Sequence, residues 1–166
     1  MLKKGQYIVY SSTGVCHVTD IIREAFSGDE KKEYYVLEPI QGNGSTIYIP
    51  TDNTTANIRD IMTKEEIFSL IETMPDFDSD WNLDDQVRKA KFVEVLKESK
   101  PHELARLIKT LYARQTELEK DGKTLSSSDT ETLKTAKQVL HNEIAQVMNL
   151  ELDQVVPFIM GQIKVS

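Results

Sequence analysis

The sequence is poor in the features that mark secreted or membrane proteins. Its 166 residues include a single cysteine, Cys16, so no internal disulfide can form. No apolar run comes near the roughly 20 residues needed to span a bilayer, and residues 1–6 lack the apolar core of a secretion signal. These absences predict a cytoplasmic protein with no membrane partner.

Residues that build metal sites and catalytic centres are also scarce. The three histidines, His17, His102 and His141, are scattered along the chain, and none has a second ligand at metal spacing. Phosphate-binding motifs of the GxGxxG or GxxxxGKS type do not occur. No segment combines an acid, a base and a nucleophile. We therefore expect a binding protein rather than an enzyme, without a metal ion or cofactor.

Positive charge is in deficit overall but unevenly distributed. The net charge of −7 argues against a protein that binds nucleic acid by electrostatics alone. Residues 60–87 hold nine acidic residues and one basic residue, whereas residues 88–137 hold 12 Lys and Arg against 8 Asp and Glu. A local basic region is therefore compatible with either phosphate contacts or an ordinary solvated helix surface, and charge alone favours the second.

Strand-forming composition dominates residues 1–61, which contain five of the six tyrosines and five of the seven glycines. Turn residues separate short apolar runs there, and the runs predict five strands at residues 6–10, 14–22, 33–38, 46–50 and 57–61. Because a flat sheet of five strands would leave two edges open, we expect closure into a small SH3- or Tudor-like β-barrel.

Helical patterns occupy residues 62–166, which we predict to be a second domain. Thr63 and Glu66 form a capping box, residues 84–98 fit a second helix, and Pro101 suits the first turn of a third. A fourth helix begins after Ser126, and a short one spans residues 152–160. Apolar stripes along these helices predict an antiparallel bundle. The overall fold class is α+β, a barrel followed by a bundle.

Several segments resemble the CarD/CdnL family of bacterial transcription regulators. In the N-terminal half these segments are KGQYIVY at residues 4–10, TGV at 13–15, KEYYVL at 32–37, IYIP at 47–50, and Ile58-Arg59. The same half is similar to the polymerase-interacting module of the transcription-repair coupling factor. The helical half continues the resemblance at Glu103-Leu104-Ala105, Leu125-Ser126, Leu133, Ala136, Leu140 and Glu143-Ile144-Ala145.

For the barrel, the resemblance implies binding to the lobe of the RNA polymerase β subunit. A basic residue and an edge strand carry that contact in the family, and the matching positions are Arg23, Thr46, Ile47, Tyr48 and Ile49. Edge-strand pairing of this kind is β-augmentation. Family members often have an arginine within the strand where Tyr48 stands here, a difference that shifts the expected contact towards stacking.

For the helical domain, the resemblance implies contact with promoter DNA at the upstream edge of the melted region, which would modulate open-complex stability. Trp81 matches a tryptophan that wedges into the minor groove, although Asp80, Asp84 and Asp85 surround it. The candidate phosphate contacts are Arg88, Lys89, Lys91, Arg106, Lys109, Arg114, Lys134 and Lys137. We expect the chain to act as a monomer. The alternative function is that of a polymerase-binding adaptor whose helical domain binds another protein instead of DNA.

Overall fold

The computed structural model describes residues 2–26, 28, 30–41, 45–53, 57–77 and 84–165. Within these ranges one antiparallel sheet of five strands precedes a helical region. The strand order is β4-β3-β2-β1-β5. The strands are β1 (Tyr7–Tyr10), β2 (Gly14–Glu24), β3 (Lys32–Pro39), β4 (Ile47–Pro50) and β5 (Ile58–Asp60).

Strand alternation gives the sheet two different apolar faces. Ile8 of β1 lies opposite Cys16 of β2, and the next pair is Val9 opposite Val15. Successive side chains of a strand point to opposite faces of the sheet. Ile8 and Cys16 therefore lie in the apolar cluster on one face, which we call the inner core. Val9 and Val15 point to the other face and join the core of the helical region. A bulge after Val18 shifts the register of β2.

The sheet does not close on itself within the described residues, so the expected closure into a barrel is wrong. Ile49 of β4 and Ile58 of β5 belong to the same apolar cluster although their strands lie at opposite edges of the sheet. However, no pairing joins β4 to β5 in the described part of the chain, so both edges remain open.

The helical region consists of α1 (Lys64–Thr73), α2 (Asp85–Glu98), α3 (Pro101–Lys120), α4 (Ser127–Met148) and α5 (Val155–Val165). The capping box at Thr63 and Glu66 is confirmed, as is the N-cap at Ser126. Helix α5 is longer than expected because Pro157 lies in its first turn, where proline costs no hydrogen bond. No helix in the described ranges is long and apolar enough to cross a membrane.

A single apolar core unites the helices and the outer face of the sheet. The fully buried residues Leu70, Leu104, Leu111 and Leu140 lie at its centre. Met62, between β5 and α1, is buried in this core together with Val9 and Val15. The predicted boundary at residue 61 therefore falls at a point where sheet and helices share side-chain packing.

Candidate functional site

The open edge of β4 presents the N–H and C=O of Tyr48 and the C=O of Pro50. Thr51 donates its N–H to the carbonyl of Glu33 at 3.0 Å. Backbone groups of an antiparallel strand point alternately to the two sides. The N–H and C=O of Ile47 and Ile49 therefore point towards β3, whereas those of Tyr48 point to the open edge. Pro50 has no N–H and limits pairing beyond that point.

An aromatic patch lies beside this edge and consists of Phe26, Tyr34 and Tyr48. The ring of Phe26 lies 4.9 Å from that of Tyr34 and 5.1 Å from that of Tyr48, measured between centroids. Phe26 and Tyr48 are 57% and 47% exposed, whereas Tyr34 is buried beneath them. Large exposed aromatic side chains next to an open strand edge form a surface suited to a protein partner.

The other residues expected at the polymerase contact have different surroundings. The side chain of Ile49 is buried in the inner core, and that of Ile47 packs against it, so both support β4 from within. Thr46 is exposed but precedes the strand. Arg23 is exposed opposite Glu33, and the alternation places it on the sheet face opposite Tyr48.

Phe26 was not predicted from the sequence. It stands in the polar connection after β2, where an aromatic residue has no strand or helix pattern to support it. An isolated aromatic residue between Glu24 and Glu30 is the feature that could have pointed to it. Only its contacts with Tyr34 and Tyr48 reveal that it extends the β4 surface.

A buried ion pair joins the sheet to the helices. Glu143 of α4 is completely buried, and both of its carboxylate oxygens accept hydrogen bonds from the guanidinium of Arg59 in β5. One oxygen also accepts the backbone N–H of Met62 at 2.8 Å. Arg59 Nε donates to the carbonyl of Ser99, at the end of α2, at 2.7 Å. This network fixes three separate segments relative to one another.

Arg88 is a structural residue in this fold and not an accessible phosphate contact. Its side chain is 6% exposed, and it forms ion pairs with Asp85 at 2.7 Å and with buried Asp129 at 3.6 Å. The hydrogen bond from Arg88, followed by its charge, lowers the pKa of the Asp85 carboxyl. We therefore infer that Arg88 links α2 to α4, which the sequence could not reveal because Asp129 lies 41 positions away.

The structure distributes the other basic candidates over separate surfaces. Lys91 of α2 and Arg106 of α3 line one groove together with Glu103, and Lys89 is exposed on α2. Arg114 forms an exposed ion pair with Glu117 at 3.2 Å. The fold therefore brings two candidate phosphate contacts from different helices, Lys91 and Arg106, into the same groove.

Three lysines lie on another side, near α5. Lys109 donates hydrogen bonds to the carbonyls of Met74 and Pro75 at 3.1 and 2.9 Å. Lys134 and Lys137 line a groove between α4 and α5, and Lys137 lies 5.2 Å from the ring centre of Tyr112. The basic candidates therefore do not form one continuous strip. Trp81, the expected wedge, lies outside the described residues.

The burial of His141 in α4 predicts that the stability of the fold depends on pH. Burial, with a smaller contribution from Lys137, lowers the pKa of His141 from 6.5 to about 4. The unfolded chain therefore binds a proton near pH 6.5, whereas the folded chain does so only near pH 4. We expect the free energy of unfolding to fall as the pH drops through this window, and urea titrations at several pH values would measure the loss.

The matched variants for this prediction are His141→Gln and His102→Gln. His141→Gln should remove part of the acid-dependent loss, because the group that takes up the proton on unfolding is gone. His102 is exposed, so its replacement should leave the contribution of His141 in place. Identical pH dependence in wild type and His141→Gln would contradict the prediction.

The described residues contain no cluster of three or more metal-binding side chains. Burial raises the pKa of the Cys16 thiol to about 11, which keeps it protonated and unreactive at neutral pH.

Comparison with known families identifies both halves of the chain. Residues 2–62 match the model of the CarD-like/TRCF RID domain, and residues 69–159 match that of the CarD C-terminal domain. A comparison with curated proteins found no match. The matched pair of domains defines a transcription factor that interacts with RNA polymerase. The chain belongs to the CarD family, as its sequence resemblance indicated.

Proposed function

We propose that the chain binds the β subunit of RNA polymerase by adding a polymerase strand to the open edge of β4. The observation that carries this proposal is the position of Tyr48, whose backbone faces the edge while its ring joins Phe26 on the surface. Main-chain hydrogen bonds would supply the pairing, and the exposed aromatic rings would supply apolar contact area. Pro50 would limit the register, since it has no N–H to offer.

The helical region then contacts promoter DNA near the upstream edge of the melted region. Three basic residues support this part of the proposal. Lys91 and Arg106 line the groove between α2 and α3, and Lys89 is exposed on α2. A chain of net charge −7 has weak intrinsic attraction for DNA. Tethering to polymerase raises the effective concentration of the basic groove at the promoter and compensates for that weakness.

The biochemical effect is a change in open-complex stability, without catalysis by this chain. A factor shifts an equilibrium only by binding one state more tightly than the other. Contacts between the α2–α3 groove and DNA would therefore have to be present in the open complex and absent or weaker in the closed one. Whether transcription rises or falls at a promoter depends on which step is slow there.

The test is the lifetime of promoter open complexes formed by purified polymerase with and without the chain. We expect the double variant Lys91→Glu and Arg106→Glu to reduce the effect on lifetime roughly tenfold, because two phosphate contacts become repulsive. The salt dependence of the effect should also become shallower by about one unit of log–log slope for each lost contact.

Lys123→Glu serves as the matched control, because it reverses the charge of an exposed lysine in the loop between α3 and α4. It should retain the wild-type effect. Polymerase binding and urea unfolding should be measured on all variants, so that a lost effect is traced to the groove. An unchanged lifetime effect in the double variant would exclude the proposed DNA contact.

A further inference from the structure

Helix α5 exposes an apolar ridge that its own fold does not cover. Its inner residues Val155 and Ile159 are buried in the helical core. On the outside, Leu152, Val156 and Met160 recur every four residues and are 47%, 49% and 48% exposed. Leu152 belongs to the short turn that leads into the helix. Exposed apolar side chains in a row, in contrast to scattered ones, mark interaction surfaces.

A groove lies on each side of this ridge. The first, of about 450 Å³, runs between α4 and α5 and is lined by Leu133, Lys134, Lys137 and Leu152, among others. The second, of about 410 Å³, is almost wholly apolar and is lined by residues including Ile108, Tyr112, Ile159, Met160 and Ile163. Val156 and His141 border both grooves. The two grooves therefore adjoin and form one elongated surface.

The charged residues among those described as lining the two grooves are lysines. Lys134 and Lys137 line the first groove and Lys109 the second, and among the residues that the structure describes no Asp or Glu lines either of them. Within the described part of the chain, none of these lysines has a carboxylate within ion-pair distance. The lowered pKa of His141 keeps that ring neutral at pH 7, so it adds no positive charge to that of the three lysines.

We propose that this surface binds an amphipathic helix of another protein, with apolar side chains facing the two grooves and acidic residues flanking them. Helix-in-groove recognition uses anchor side chains one or two turns apart, and two adjoining grooves around Val156 provide two such places. Acidic flanks complement Lys109, Lys134 and Lys137. The partner is distinct from the polymerase strand proposed at β4.

Other occupants fit the surface less well. A second copy of the chain would bring the same lysine rim against itself, which is repulsive in a symmetric contact. Phosphate groups of DNA would match the lysines but would leave the apolar grooves unfilled. A compact small molecule could occupy one groove but would not use the ridge between the two. The inference therefore assigns Lys134 and Lys137 to a protein contact and not to phosphates.

The experiment uses the full chain and three fluorescent synthetic peptides that form amphipathic helices with the same leucine- and phenylalanine-rich face. Their flanking positions carry Glu, Gln or Lys. Fluorescence anisotropy should show the Glu-flanked peptide binding roughly tenfold more tightly than the Lys-flanked one at low salt, with the difference shrinking as salt is added. Equal binding of the Glu and Lys peptides, or no binding of any of them, would overturn the proposal.

Two variants locate the binding surface. Val156→Asp places a charge at the centre of the ridge and should abolish binding of the Glu-flanked peptide. Val93→Asp makes the same change at a residue of α2 that is 67% exposed and does not line either groove, so binding should persist. Retained peptide binding in Val156→Asp would place the contact elsewhere and refute the assignment.

The charge on the rim is tested separately from the apolar ridge. Combining Lys134→Gln with Lys137→Gln should weaken the Glu-flanked peptide but leave the Gln-flanked peptide largely unaffected; an undiminished preference for Glu would contradict the role of these lysines. Polymerase binding by Val156→Asp should equal that of wild type, because β4 is a separate surface. The peptide result therefore stands or fails independently of the proposed polymerase contact.

Discussion

Alanine in place of Glu143 is expected to lower the free energy of unfolding by about 3–5 kcal/mol, the range found when one partner of a buried ion pair is removed. The carboxylate is completely buried, and the Arg59 side chain is 19% exposed. Without Glu143, the guanidinium stays confined between β5 and α4 with no opposite charge. The backbone N–H of Met62 also loses its acceptor. Urea unfolding followed by circular dichroism measures this change directly.

We attribute the expected loss of unfolding free energy to the unpaired charge of Arg59, and a double-mutant cycle tests this explanation. Arg59→Met and Glu143→Leu should each destabilise when made alone, because each leaves one charge without its partner. Combining Arg59→Met with Glu143→Leu should restore much of the loss, since an apolar pair of similar volume carries no unmet charge. A loss below about 1 kcal/mol for Glu143→Ala would show that water or another group replaces the carboxylate without cost.

The same network holds the position of the sheet relative to the helices. Arg59 bonds to Glu143 on α4 and to the carbonyl of Ser99, which ends α2 in the left-handed conformation with φ of 50°. These contacts connect β5 directly to two helices. The β4 edge and the groove between α2 and α3 are therefore carried on one connected framework. In the proposed function, binding at the edge would set the position of this groove relative to promoter DNA.

Proline in place of Tyr48 is expected to weaken binding to RNA polymerase roughly a hundredfold, and alanine at the same position roughly tenfold. Alanine removes the aromatic ring from the patch with Phe26 but keeps the backbone N–H that faces the open edge. Proline removes both. The additional loss measures the strand-pairing hydrogen bond, whose net contribution is about 1 kcal/mol. Biolayer interferometry with purified polymerase gives both dissociation constants.

Stability controls separate binding from folding in this series. Because the Tyr48 N–H points away from β3, proline there leaves the β3–β4 hydrogen bonds in place, and unfolding should change little. Ile47→Pro is the contrasting variant, since it removes an N–H that faces β3 and should clearly destabilise the sheet. Equal polymerase binding by Tyr48→Ala and Tyr48→Pro would exclude backbone pairing at this position, and unchanged binding by both would exclude the edge altogether.

Local sequence patterns predicted most of the secondary structure because their physical causes are local. The capping box of Thr63 and Glu66 satisfies backbone donors within one turn, so it is visible in the sequence and confirmed in α1. Strand β4 begins one residue later than expected, at Ile47, and β2 extends to Glu24. Element ends depend on neighbouring strands, which explains why they were less predictable than the elements themselves.

The candidate sites were only partly predictable from the sequence, for a different reason. The resemblance to the CarD family indicated the β4 region. It could not show that the side chains of Ile47 and Ile49 pack into the inner core while the backbone groups of Tyr48 point to the open edge. Basic residues look alike in a sequence, yet Arg88 is buried against Asp129 and Lys91 shares a groove with Arg106. Burial and pairing of a charge depend on distant segments, and no local pattern encodes them.

The sequence by itself determined the fold class, the order of strands and helices, and membership in the CarD family, since alternation, capping and family motifs act over short distances along the chain. Only the tertiary structure decided that the sheet stays open, that Phe26 joins Tyr48, and that Glu143 meets Arg59 across 84 positions. These outcomes arise from contacts between residues far apart in sequence, whose energy exists only once the chain has folded.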